Sequence, residues 1–215
     1  MPALTELIPL QVIENSLDQV LAVDRLSGES LRPLLARCPD DVFGIALQAW
    51  HRLVQANPGK FNPEMFAAYV DEHDPRLVEA IEHVTGERLV REFGFLEATI
   101  QWNGHPFVAA TSCAVWLSSG ELHLQDILVA DPRQPIPKRE RKSVDHEYRG
   151  FGLLSPIMEA LFLAARERHA TMITLTAATR PLVTVFGRHG FVVEENPIAR
   201  AAMRIGMGIP MEALF

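Results

Sequence analysis

After Arg88 the apolar residues of this 215-residue chain change their spacing, and that change limits the fold more than any other feature. Up to about residue 88 they recur at helical intervals. Behind Asp40-Asp41, residues Val42, Phe43, Ile45, Leu47, Trp50, Leu53 and Val54 fall near helical spacing, and Asn57-Pro58-Gly59 stops the run. Asn62-Pro63-Glu64 and Asp74-Pro75 each place a capping side chain before a proline in the first turn, which predicts helices to about Val70 and Gly86. From residue 90 the pattern is strand-like. Segments 90–102 and 106–117 flank Asn103-Gly104, a two-residue hairpin turn, and Ser118-Ser119-Gly120 turns the chain again into Leu122–Val129. The expected layout is a helical region over 1–88 before a domain over 89–215, packed as one compact unit.

The second half alternates its elements. Asp131-Pro132, Pro135 and Pro137 make 130–143 a loop or insertion. An apolar helix then runs from Leu153 to about Arg168, with Pro156 in its first turn. Thr171–Ala177 is a β-branched strand, and Thr179 and Pro181 open a short helix through Arg188. Phe191-Val192-Val193 and Met207–Leu214 are further strand candidates. Strands paired first as a meander and then alternating with helices predict an α/β fold with a mixed sheet.

Between insertion and helix stands Arg149-Gly150-Phe151-Gly152-Leu153-Leu154. A helix N-terminus carries unpaired amides and the positive end of the dipole. Two residues without Cβ atoms let an anion approach those amides closely, so the turn reads as a phosphate cradle. No Lys follows Gly152, against a nucleotide-binding P-loop. Ser155 occupies the register of a third glycine and the next strand ends without an acid, against a dinucleotide fingerprint.

Val144, Glu147, Tyr148, Arg149, Gly150 and Gly152, followed by an apolar helix and later by Phe186-Gly187-Arg188-His189-Gly190-Phe191, resemble the GNAT superfamily of acetyl-coenzyme A-dependent N-acetyltransferases. The resemblance covers about residues 90–215. It implies a GNAT-like α/β fold with an N-terminal helical extension, acetyl-CoA or another acyl-CoA as cosubstrate, and an amine acceptor, small or on a protein. It also implies a cofactor-binding set of Val144, Arg149, Gly150, Phe151, Gly152, Leu153, Leu154, Thr179 and Phe186. Leu154 replaces the last small residue of the motif and His146 its usual proline. Phe186 stands where a tyrosine often serves as general acid, and a phenyl ring has no proton to give.

Attack on a thioester needs a neutral amine, hence a base, and a donor for the carbonyl oxygen. Candidates for the base are Asp126, Glu121 and His123. Asp126 is favoured because Leu124, Ile127 and Leu128 surround it in sequence. Tyr148, beside the cradle, is the remaining catalytic candidate. His189, at a helix end, reads as a dipole partner, Cys113 as a small core residue, and Met203, Met207 and Met211 as packing.

A net charge of -7 argues against nucleic acid as a partner. Arg133, Lys138, Arg139, Arg141 and Lys142 are a local exception. They read as a solvated loop, a clamp on the 3′-phosphate of coenzyme A, or a dock for an acidic partner such as an acyl carrier protein. An acyl-carrier-dependent transferase and a catalytically degenerate CoA-binding protein are therefore the alternatives. Two distant cysteines, Cys38 and Cys113, suit neither a disulfide framework nor a metal motif, and no apolar run approaches a bilayer's thickness. A cytoplasmic enzyme without metal or membrane attachment is expected. Its oligomeric state is open, a homodimer included.

Overall fold

The computed structural model describes residues 3–56, 59, 82, 88–141 and 147–215. The helices expected over 62–70 and 75–86 lie outside these, as does Val144. The strands are β1 (Ala22–Gly28), β2 (Val90–Trp102), β3 (His105–Leu117), β4 (Glu121–Val129), β5 (Met172–Thr179), β6 (Val192–Val193) and β7 (Met207–Leu214). The helices are α1 (Leu10–Leu17), α2 (Arg32–Leu35), α3 (Pro39–Ala56), α4 (Leu154–Glu167), α5 (Arg180–Gly187) and α6 (Pro197–Ile205). The seven strands of the described residues join one sheet in the order β1-β2-β3-β4-β5-β7-β6.

The expected meander forms. Asn103 (φ 52°) and Gly104 (φ 82°) take the left-handed conformations a two-residue hairpin demands, and Trp102 pairs with His105. The β4–β5 pair is parallel, joined by the right-sized crossover through α4, whereas β7 inserts antiparallel between β5 and β6.

Two elements differ from expectation. Residues 22–28, inside the region read as helical, form β1 and pair along β2 from Ala22↔Thr99 to Gly28↔Phe93. This strand lies at the sheet edge with most of its side chains exposed or half-exposed, so no apolar alternation marks it. Helix α6 was not anticipated, yet its signals are in the sequence. The Asn196 side chain accepts from Ala199 N at 2.7 Å, Pro197 fills the first turn, and Gly206 closes the helix at φ 82°.

Alternation sends side chains to two cores. On one face Leu122, Leu124, Ile173 and Leu175 meet Ile157, Met158 and Leu161 of α4, with Ile13 and Leu17 of α1. On the other, Phe93, Phe95, Cys113, Val115 and Leu117 meet Ile45, Ala46, Ala49 and Trp50 of α3. Burying a side chain such as Ile45 contributes about 2 kcal/mol each, and this apolar stripe holds α3 against the sheet. Because Leu122 and Leu124 face α4, Glu121 and His123 face α3. That parity places polar groups under a helix.

Candidate active site

Parallel pairing between β4 and β5 runs from Glu121↔Met172 to Leu124↔Leu175 and stops. The reason lies one residue on. Cys113 pairs with Asp126 and Ala114 with Leu124, so Gln125 is an extra residue in β4, a bulge. Past it, β4 continues to Val129 beside β3 while β5 continues to Thr179 beside β7. The two strands therefore part, leaving ladder groups of β4 without a β5 partner in a cleft at the centre of the sheet.

The glycine turn lies at the far end of that cleft. A Cβ at Gly150 would fall 2.9 Å from Val129 O, so glycine is needed here for the turn to close on the end of β4. Gly152 has φ +73° and open space around the position of a Cβ. The first glycine thus serves packing and the second faces outward. Among the described residues none accepts a hydrogen bond from the amides of Gly150, Phe151, Gly152 or Leu153, and Leu153 gives α4 no side-chain cap. These amides, with the first-turn amides of Leu154 and Ser155, form a donor array able to hold an anion. Phe151 and Leu154 pack against the α4-side core, and Leu153 is buried in it. The Arg149 side chain is exposed while its backbone is fixed by Asp131 N→Arg149 O (2.8 Å) and Arg149 N→Gln134 O (2.9 Å).

Tyr148 bridges Pro135 and stacks edge-on to Phe107, with ring centroids 5.0 Å apart. Thr179 ends β5 and caps no amide of α5, and its Oγ1 is buried without a partner among the described residues. A buried orphan hydroxyl costs about 1–3 kcal/mol, and a ligand lying in the cleft would answer it. Phe186 packs inside the core, its ring 6.2 Å from that of Phe191.

Beneath α3 the polar groups divide into two sets. At its C-terminal half, Arg52 donates from Nε to Glu121 (2.8 Å) and from Nη2 to Glu194 (2.8 Å), while Gln48 donates to Glu121 at 2.6 Å. Asn196 donates to Glu194 at 2.6 Å, and Thr174 donates to Glu121. Glu121 is 1% exposed, with both oxygens engaged at the paired end of β4. His123 lies 2.8 Å from Thr174 Oγ1 and 3.2 Å from Gln125 Oε1, and burial pushes its pKa down. Burial and the nearby Arg52 charge do the same to His51.

At the N-terminal half, the Asp41 carboxyl of α3 lies near the Gln125 and Cys38 side chains, which favour its charged form, and near Asp126, whose charge opposes it. Burial, then Asp126, raises its pKa to about 6. Asp126 itself faces α3, opposite buried Cys113. Burial raises the Cys113 thiol well above its ordinary value, so it is an unreactive core group. The carboxyl that burial perturbs is therefore one the sequence marked only as part of a helix start. Nothing in the local pattern of Asp41 announces Asp126 on β4, which is 85 positions later.

The insertion folds back on itself. Arg133 closes on Asp131 (2.8 Å) and on Ser16 O (2.7 Å), and Arg141 pairs with Glu147 at 2.5 Å. Three of its five cations are thus paired with carboxylates, Arg139 with Glu140 at 3.6 Å on the surface; Lys138 is exposed and Lys142 lies outside the described residues.

Mixed sheet, single parallel pair, bulged cleft and uncapped glycine turn before α4 together give a GNAT-like acyl-CoA N-acyltransferase fold. The β1–β2 pair and α3 extend that fold into the region the sequence left unmatched. No family model and no curated protein matches the chain. Among solved structures, it is similar to an acetyltransferase of the GNAT family from Staphylococcus aureus Mu50 at 14% identity and a TM-score of 0.38, covering 90% of this chain and 99% of that one. It is also similar to a Bacillus subtilis acetyltransferase in complex with CoA (11%, TM-score 0.36, 91% and 99% covered) and to Ard1 from Thermoplasma volcanium (14%, TM-score 0.34, 90% and 97%). Values this low assign nothing to individual residues. Among the described residues no helix is long and apolar enough to cross a membrane, and no group of three or more side chains is placed to hold a metal ion.

Proposed function

We propose that this chain is an N-acyltransferase that moves an acetyl or other acyl group from coenzyme A to an amine. The supporting observation is the junction of cleft and cradle. The uncapped amides of 150–153 sit against Val129, and the strands part just after Leu124. Five residues of strand separate the two, about 17 Å at the usual rise. A diphosphate on those amides and an acyl-carrying arm laid along β4 would bring the thioester carbonyl to the parting of the strands. There an unpaired β4 amide is the natural donor to the developing oxyanion, and the orphan hydroxyl of Thr179 lines the opposite strand. Phe186, packed in the core, gives the departing thiolate no proton, so the thiolate leaves as such or is protonated by water.

Replacing Gly152 by Leu tests the cradle. The new side chain fills the open space over the amides, and CoA affinity by calorimetry should fall about 100-fold, the equivalent of nearly 3 kcal/mol of lost charge-assisted hydrogen bonding. Circular dichroism should report an intact fold. Unchanged affinity would remove the assignment.

A further inference from the structure

We propose that Asp41, reaching over the Gln125 bulge from the first turn of α3, is the base that takes the proton from the attacking amine, with Asp126 as its partner carboxylate. The inference rests on the acyl-transfer reading above and deepens it: it fixes the face of the sheet from which the acceptor enters and the group that receives its proton.

Placement carries it. The cleft opens at Gln125, and α3 is held down on that residue. A Cβ on Gly44 would lie 2.5 Å from the Gln125 side-chain amide, so the helix backbone rests directly on the bulge. One turn earlier on the same helix stands Asp41, whose charged form the same amide favours. Asp126 follows the bulge and faces α3, because its partner Cys113 belongs to the α3-side core. Two carboxylates thus flank the point where β4 leaves β5, on the face opposite α4. The other carboxylate proposed from sequence near this strand, Glu121, is held at the paired end by Arg52, Gln48 and Thr174.

The step balances without an added reactant. The amine nitrogen bonds to the acyl carbon, the carbon–sulfur bond breaks, the electron pair leaves on the thiolate, and the proton displaced from nitrogen passes to the Asp41 carboxylate. Asp41 returns it to water.

Asp41 has the acid strength the step needs. Its pKa stands at about 6, so the carboxylate is mostly free at neutral pH yet is a better base than an exposed aspartate. Among the described residues, burial sets this together with Asp126 and Gln125 on β4, Cys38 before α3 and Asp40 on it. Arg37, nearby in sequence, is drawn to Asp24 and to Glu97 on β2. Cys113 on β3 is buried and protonated.

Carboxyl-carbon NMR on the full chain tests the proposal, with coenzyme A itself as the probe. In the free protein Asp41 should titrate near 6, and in Asp126→Asn its midpoint should fall by about one unit as the like charge is removed. Saturating coenzyme A should shift the Asp41 midpoint by at least about half a unit, because the sulfur replaces water beside it. With acetyl-CoA and a panel of primary amines, Asp41→Asn should lower kcat about 100-fold near pH 7 and change CoA affinity by only about threefold, the linkage counterpart of the half-unit shift. If calorimetry shows coenzyme A bound and the Asp41 midpoint does not move, Asp41 is remote from the sulfur and the inference falls while the cradle stands. If coenzyme A does not bind, the transferase reading falls first and this one with it. The wild-type titration decides the matter even if Asp126→Asn fails to fold.

Discussion

The two ends of α3 rest on the same sheet and treat charge in opposite ways. At the C-terminal end, Arg52 lies between Glu121 and Glu194, and Gln48, Asn196 and Thr174 answer the remaining oxygens. At the N-terminal end, the charges that raise Asp41 among the described residues are those of Asp126 and Asp40, and the groups favouring its charged form are the neutral Gln125 and Cys38 side chains. One side-chain chain joins the two ends. Asp41 lies near Gln125, Gln125 Oε1 lies 3.2 Å from His123, and His123 reaches Thr174, which donates to Glu121. The difference teaches where this fold spends stability. A buried pair with all its lone pairs met fastens a helix, whereas a carboxyl raised by a like charge is a group kept ready to bind a proton.

The largest test of this contrast is Arg52→Leu. It strands Glu121 and Glu194, both nearly buried, without their cation, and should cost about 3–5 kcal/mol in urea unfolding. A loss below ~1 kcal/mol would mean the C-terminal end is not the fastening it resembles. Next is Gly44→Ala. Its methyl displaces the Gln125 amide, breaking the link to His123 and Asp41, and should cost ~1–2 kcal/mol while shifting the Asp41 titration. A smaller effect of opposite sign is expected from Asp41→Asn. The folded pKa of about 6 exceeds the ordinary 3.8, so ionising Asp41 destabilises the fold as pH rises through 6. Asparagine should therefore be more stable by ~1 kcal/mol at pH 7–8, discounted for partial exposure, and the gain should vanish below about pH 4. Thermal melts across that range check it, and a flat difference would place the carboxylate in ordinary solvent. Smallest is Glu212→Gln. Burial, then the Glu194 charge, raises this half-exposed carboxyl, so the swap should stabilise by a few tenths of a kcal/mol at neutral pH. A clear loss would assign Glu212 to the Arg52 set.

Much of the framework is legible along the chain because its causes are local. The hairpin at Asn103-Gly104, the α3 stripe behind Asp40-Asp41 and the glycine turn before α4 each depend on residues a few positions apart. Edge strand β1 was not legible, since a strand half in water and paired on one side needs no apolar period. Glu121 was read as a candidate base from its residue type beside a strand, and the fold encloses it with Arg52 from 69 positions away.

By itself the sequence determined the meander after Arg88, the mixed sheet and the uncapped helix start, because hydrophobic period, capping and glycine's freedom act over single turns. Only the tertiary structure decided which carboxylates meet. The bulge at Gln125 sets which way Asp126 faces, and the weight of α3 on that bulge brings Asp41 beside it. Such a meeting depends on the register of strands and the seating of a helix, and Coulomb interactions are set by distance in space, which neighbouring residues along the chain do not fix.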